Sequence, residues 1–128
     1  MVDLDSIRKY NKMINILQKE LNQKRKEIDA MNTTYNEIRA NIINSMTEDK
    51  VVKIVEIEED IQSYKLKRDK AIVEIKEIIN KIDDEVLRKL MELRYIDCMK
   101  WEKIEKILGY SRQHINRLNK KALKYISK

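Results

Sequence analysis

Trp101-Glu102-Lys103-Ile104-Glu105-Lys106-Ile107-Leu108-Gly109-Tyr110-Ser111-Arg112-Gln113-His114-Ile115-Asn116-Arg117-Leu118 holds the only glycine of a chain that has no proline. Before Gly109, the residues Trp101, Ile104, Ile107 and Leu108 recur at helical spacing. After it, Ile115, Leu118, Ala122 and Ile126 do the same. A lone glycine between two such segments marks one special backbone angle. Glycine enters the left-handed region without steric cost, so it can end the first helix. Ser111 then stands where an N-cap belongs, and Arg112 opens the next helix. Helix, short turn, helix is the layout of a unit that reads DNA.

The second helix carries the chemistry. With Ile115, Leu118, Ala122 and Ile126 turned inward, Gln113, Arg117, Lys120 and Lys124 point directly away. Arg112 and Asn116 flank them on one side, His114 and Lys121 on the other. From Ser111 to Lys128 there is no acidic residue. Arginine reads guanine bidentately, glutamine and asparagine read adenine, and lysine holds phosphate. The first turns of a recognition helix enter the major groove. Arg112, Gln113, Asn116 and Arg117 are therefore the expected base readers. Ser111, His114, Lys120, Lys121 and Lys124 are the expected phosphate contacts. A basic helix face is more often plain solvated surface. Here the turn glycine, the cap and the acid-free face argue together for double-stranded DNA.

Residues 84–126 resemble region 4 of sigma-70-type factors, and more narrowly the small phage-encoded regulators of the RinA or ArpU kind. The matching stretches are Val86-Leu87-Arg88-Lys89-Leu90-Met91-Glu92-Leu93-Arg94-Tyr95, Trp101-Glu102-Lys103-Ile104, Tyr110-Ser111-Arg112-Gln113-His114-Ile115 and Lys121-Ala122-Leu123. In that family a serine or threonine followed by arginine opens the recognition helix, and the next residues contact the promoter −35 element. The resemblance thus implies promoter contact at Arg112, Gln113, Asn116 and Arg117. It covers about a third of the chain. Glu105 departs from it, because the family usually has a small residue where the two helices cross. Nothing in the rest of the chain resembles the −10-binding region of a full sigma factor.

Charge follows the same division. The net charge is +6, and residues 83–128 hold twelve Lys and Arg against seven Asp and Glu, an excess of five. A polyanionic partner is expected at that end. Cys98 is the only cysteine and His114 the only histidine, so neither an internal disulfide nor a structural zinc site is expected. No paired carboxylates, phosphate-cradling loop or nucleophile–base set suggests an enzyme, and no cofactor is expected. No secretory leader opens the chain and no apolar run of membrane-spanning length occurs, so the cytoplasm is the expected location and no membrane a partner.

Upstream, residues 4–44 read as one long helix. Ile7, Ile14, Leu21, Ile28, Tyr35 and Ile42 occupy heptad positions a; Tyr10, Leu17, Lys24, Met31 and Ile38 occupy d. Asn44 to Asp49 interrupts the stripe, with Ser45 and Glu48 at capping-box spacing. A second helix to about Ile82 continues it through Ile54, Ile57, Ile61, Tyr64, Arg68, Ala71, Ile75 and Ile78. A fold-back near residue 49 would set Ile42 against Ile57, Tyr35 against Tyr64, Leu21 against Ile78 and Leu17 against Ile82. The expected fold is all-α: a long antiparallel coiled-coil hairpin over 1–82, then a small three-helix helix-turn-helix domain over 83–128. In the latter, Val86, Leu87, Leu90, Met91 and Leu93 should face inward from a helix over 84–95, and Trp101 should plug the core. Cys98 reads as a buried small hydrophobe. Ile43, Val51, Val55, Ile72, Val73 and Ile79 lie off the hairpin seam, so a homodimer or higher homo-oligomer is expected.

The expected function is sequence-specific DNA binding by a transcription regulator, phage or prophage encoded. The alternative is an adaptor or inhibitor that grips RNA polymerase through the region 4-like domain, as the family does.

Overall fold

No proline and a single glycine leave few helix breakers, the apolar residues recur at helical spacing, and helices are what form. In a computed structural model of the chain, residues 3–33 and 37–127 are described, with the side chains of 30–47 outside the description. Every regular element among the described residues is helical. Helix α1 spans Ser6–Thr33, α2 Glu37–Asn80, α3 Glu85–Met91, α4 Trp101–Leu108 and α5 Arg112–Ile126. A single π-helical turn, Glu92–Ile96, prolongs α3 without a break. None of these helices is long and apolar enough to cross a membrane.

The chain forms two compact units: residues 10–67, and residues 3–9 together with 68–127. In the first, α1 and α2 pack antiparallel. Leu21 is buried with Ile57 and Ile61, and Ile14, Leu17 and Ile54 close round them. The Tyr10 and Tyr64 rings lie 6.2 Å apart between centroids. Arg25 meets Glu58 at 2.8 Å and Lys50 meets Glu27 at 2.9 Å along the edges. The Lys50 ammonium holds the Glu27 carboxyl below its ordinary range, so this pair contributes at neutral pH and is lost as the medium acidifies through that lowered value.

Two expectations fail here. The break at Asn44 to Asp49 does not exist, because α2 runs through those residues. Ser45, Thr47 and Glu48 can cap a helix, but without glycine or proline nothing forces one to end. A capping residue inside a helix costs only a few tenths of a kcal/mol. The register also differs: Leu21 meets Ile57 and Ile61 instead of Ile78, and Tyr64 lies by Tyr10. Ile57 precedes Ile78 by three heptads, so the apolar stripe looks the same at either register. The expected seam positions Met31, Tyr35, Ile38 and Ile42, and off-seam Ile43, lie outside the described side chains.

In the second unit, Ile7, Ile75, Ile79 and Ile82 are fully buried along with Leu87, Leu90, Met91, Ile104 and Ile115. Ile79, expected to be exposed, is part of this core, while Val51, Val55 and Val73 are exposed as expected. Leu90, Leu93, Ile104 and Ile115 form one cluster, and Trp101 packs on it with Met99, Leu108 and Leu118. Trp101 therefore does close the core from the first turn of α4. Val86 faces solvent instead, because Leu87, Leu90, Met91 and Leu93 already fill the inward face. Asp84 caps α3, its carboxylate accepting from the N–H groups of Val86 and Leu87 at 2.9 and 3.2 Å.

Two left-handed residues bracket α4. Gly109 has φ 71 and its N–H donates to the Glu105 carbonyl at 2.8 Å. Cys98, half-buried, has φ 57 at the end of the π-helical turn, where the Met99 N–H returns to the Leu93 carbonyl at 2.9 Å. Cys98 thus takes a role usually given to glycine, and the described residues include two left-handed backbone angles where one was expected. Nothing lies within 4 Å of a Cβ built on Gly109. Gly109→Ala is therefore expected to cost only the backbone strain, about 1–2 kcal/mol, with no clash added. Denaturant unfolding of the full chain checks this; a neutral substitution would mean the turn relaxes to negative φ.

Candidate nucleic-acid interface

Helix α5 owes its orientation to three fixed points. Ser111 caps it, its Oγ accepting from the His114 N–H at 3.2 Å. Ile115 and Ala122 are completely buried and Leu118 is half-buried, which pins one face to the core. The Tyr95 hydroxyl donates to Asn119 Oδ1 at 3.1 Å, and the Tyr125 hydroxyl donates to Asp83 Oδ2 at 3.0 Å. These bonds tie the middle and end of α5 to segments far away in sequence. The start of α4 is fixed as well. The Arg94 guanidinium lies 4.3 Å above the Trp101 ring and donates to the Met99 carbonyl at 2.9 Å. Burial, with Arg8 nearby, lowers the Arg94 pKa from its ordinary value, though guanidinium remains charged in any protein.

The opposite face of α5 is solvent-exposed. Gln113, Asn116, Arg117 and Lys120 line one shallow surface depression. Lys121 and Lys124 are exposed beside it, and Lys124 lies in the last turn, where a positive charge complements the helix dipole. The depression offers amide donors and acceptors, a planar cationic fork and an ammonium within three helical turns. That set is suited to base edges beside phosphates.

Four of the nine expected residues have partners within the chain: Ser111 caps the helix, and Arg112, His114 and Arg117 make side-chain contacts. Arg112 is held by Glu105 across the turn, Nε to Oε1 at 3.1 Å and Nη2 to Oε2 at 3.1 Å. This fork-to-fork pairing occupies two of the five guanidinium N–H donors. Glu105 thus braces α4 to α5. His114 is half-buried, its ring edge-on to Tyr110 with centroids 4.6 Å apart, and its Nδ1 lies 3.4 Å from Arg117 Nη2. Donation from Arg117 requires Nδ1 to be the unprotonated ring nitrogen. Arg117 therefore leans on His114, which leans on Tyr110.

Glu105, Tyr110 and Asn119 were not among the expected site residues. Only Glu105 left a trace in the sequence, as the last acidic residue before an acid-free segment. Its partner could not be read from spacing, because the pairing spans a turn. The pair is exposed, so it stabilises by about 0.2–1 kcal/mol. Glu105→Gln should consequently leave the unfolding midpoint almost unchanged. It should raise affinity for any duplex a few-fold, because one negative charge leaves the neighbourhood of the phosphates. Weaker binding by Glu105→Gln would instead show that the carboxylate holds Arg112 in its binding posture.

No family model, curated protein or solved structure matches this chain. The functional reading rests on the residues themselves.

Proposed function

We propose that the chain is a sequence-specific, double-stranded-DNA-binding transcription regulator, phage or prophage encoded, with residues 83–128 as its DNA-binding domain. In this reading α4, the Gly109–Ser111 turn and α5 are a helix-turn-helix, and α5 is the recognition helix. Residues 1–82 form a helical hairpin of the coiled-coil type that supports the domain and associates with a second copy. The observation that carries the reading is the exposed face of Gln113, Asn116, Arg117 and Lys120, opposite buried Ile115 and Ala122. Gln113, Asn116 and Arg117 read bases in the major groove. Arg112 reads a base with the guanidinium donors that Glu105 leaves over. Ser111, His114, Lys120, Lys121 and Lys124 contact phosphates; Ser111 can donate its hydroxyl hydrogen there while its oxygen still caps the helix.

Selection of duplexes from a random pool by the full chain tests this. A single enriched motif of a few base pairs per recognition helix is expected. Recovery of unenriched DNA, together with capture of bacterial RNA polymerase in the absence of DNA, would favour the adaptor reading instead.

A further inference from the structure

We propose that the outer face of α2 pairs with the same face of a second copy, antiparallel, about a twofold axis near Gln62. Val51, Val55, Gln62 and Leu66 recur at spacings of four, seven and four, so they share one strip of the helix. The strip is turned away from Ile57 and Ile61, which face α1. It is open: Val51 and Val55 are each 46% exposed and Leu66 is 72% exposed. Beside it runs an open groove of about 710 Å³, with Leu21 and Ile61 among its lining residues, Val55 and Leu66 along it and Glu58 and Lys65 on its rim.

The charges name the occupant. On one flank of the strip the acidic residue, Glu58, comes first and the basic one, Lys65, comes seven residues later; Glu59 is on the other flank. A parallel partner copy would set this flank against the opposite one, bringing Glu58 beside Glu59 of the second copy, like charge against like. An antiparallel one sets Val55 against Leu66 and Glu58 against Lys65, and each pairing occurs twice. Residue i meets j and j meets i, which is the self-complementarity an isologous twofold interface needs. Glu58 already accepts from Arg25 of its own chain at 2.8 Å, so Lys65 of the second copy would complete a three-member charge cluster at the rim. The strip from Val51 to Leu66 is about 23 Å long at 1.5 Å per residue. This pairing does not depend on the DNA reading, since it uses no residue of α4 or α5.

The test is sedimentation of the full chain without DNA, with cross-linking to give the orientation. A dimer at micromolar concentration is expected. Leu66→Asp should raise its dissociation constant about tenfold or more, by placing a carboxylate in an apolar layer, while helicity by circular dichroism stays the same because Leu66 is exposed in the single chain. Lys65→Glu should weaken the dimer, and adding Glu58→Lys should restore part of the loss. In a Cys98→Ser background, oxidation of mixed Val55→Cys and Leu66→Cys chains should cross-link unlike chains and leave like chains unlinked. A monomeric wild type, a dimer indifferent to Leu66→Asp, or cross-links between like chains would each overturn the proposal.

Discussion

Ile115→Ala is expected to destabilise the C-terminal unit by about 2–5 kcal/mol, the usual range for deleting a buried isoleucine down to alanine. Ile115 has no exposed surface and sits with Leu90, Leu93 and Ile104, so the cavity would be lined by side chains from three helical segments that cannot all collapse inward. It is also the residue that turns Gln113 and Arg117 outward. The truncation should therefore lower duplex affinity as well as the unfolding midpoint. Ile115→Val should cost only about 0.5–1.5 kcal/mol and leave binding in place. Leu123→Ala, on an exposed position of the same helix, should do little to either. Denaturant unfolding of the three variants decides it. If Ile115→Ala and Leu123→Ala had equal effects, α5 would be packed by another face and the outward set would be different.

Arg117→Ala should cost about 1–3 kcal/mol at the preferred site and relax discrimination at one base position. Arg117 is exposed, lies in the second turn of α5 and borders the depression with Gln113 and Asn116. Its contact with His114 restrains the guanidinium before any ligand arrives, so less rotamer freedom is lost on binding. Lys124→Ala should instead weaken all sequences about equally, as a phosphate contact does. Competition binding with the selected site and its single-base variants separates the two. A uniform loss from Arg117→Ala, with no change in base preference, would make Arg117 a phosphate clamp and displace the docking along α5.

The parts of the fold that could be read in advance are those marked by one residue that has no substitute. Gly109 alone in the chain, with Ser111 two residues on, placed α4, the turn and α5 where they are found, and the inward Ile115 and Ala122 followed from the period. The hairpin register could not be read that way. Heptad stripes repeat every seven residues, so Leu21 fits Ile57 and Ile78 equally well on pattern alone. Ser45 and Glu48 advertised a helix start that the unbroken α2 ignores. Cys98 gave no hint of its left-handed angle, because the tertiary setting and not the residue's own preference puts it there. In the candidate site, exposure of Gln113, Asn116, Arg117 and Lys120 was legible from helical geometry. The Glu105–Arg112 pairing was not, since it depends on how two helices cross after the turn.

The most direct test of the central claim is a titration of the full chain onto its selected duplex at salt concentrations between about 50 and 200 mM. If α5 lies in the major groove with Lys120, Lys121 and Lys124 on phosphates, each displaced counterion adds about −0.9 to the slope of log affinity against log salt. The expected slope is several units negative, and two copies on one site would double it. A slope near zero would contradict the account and place a protein surface, in place of a nucleic acid, against this helix.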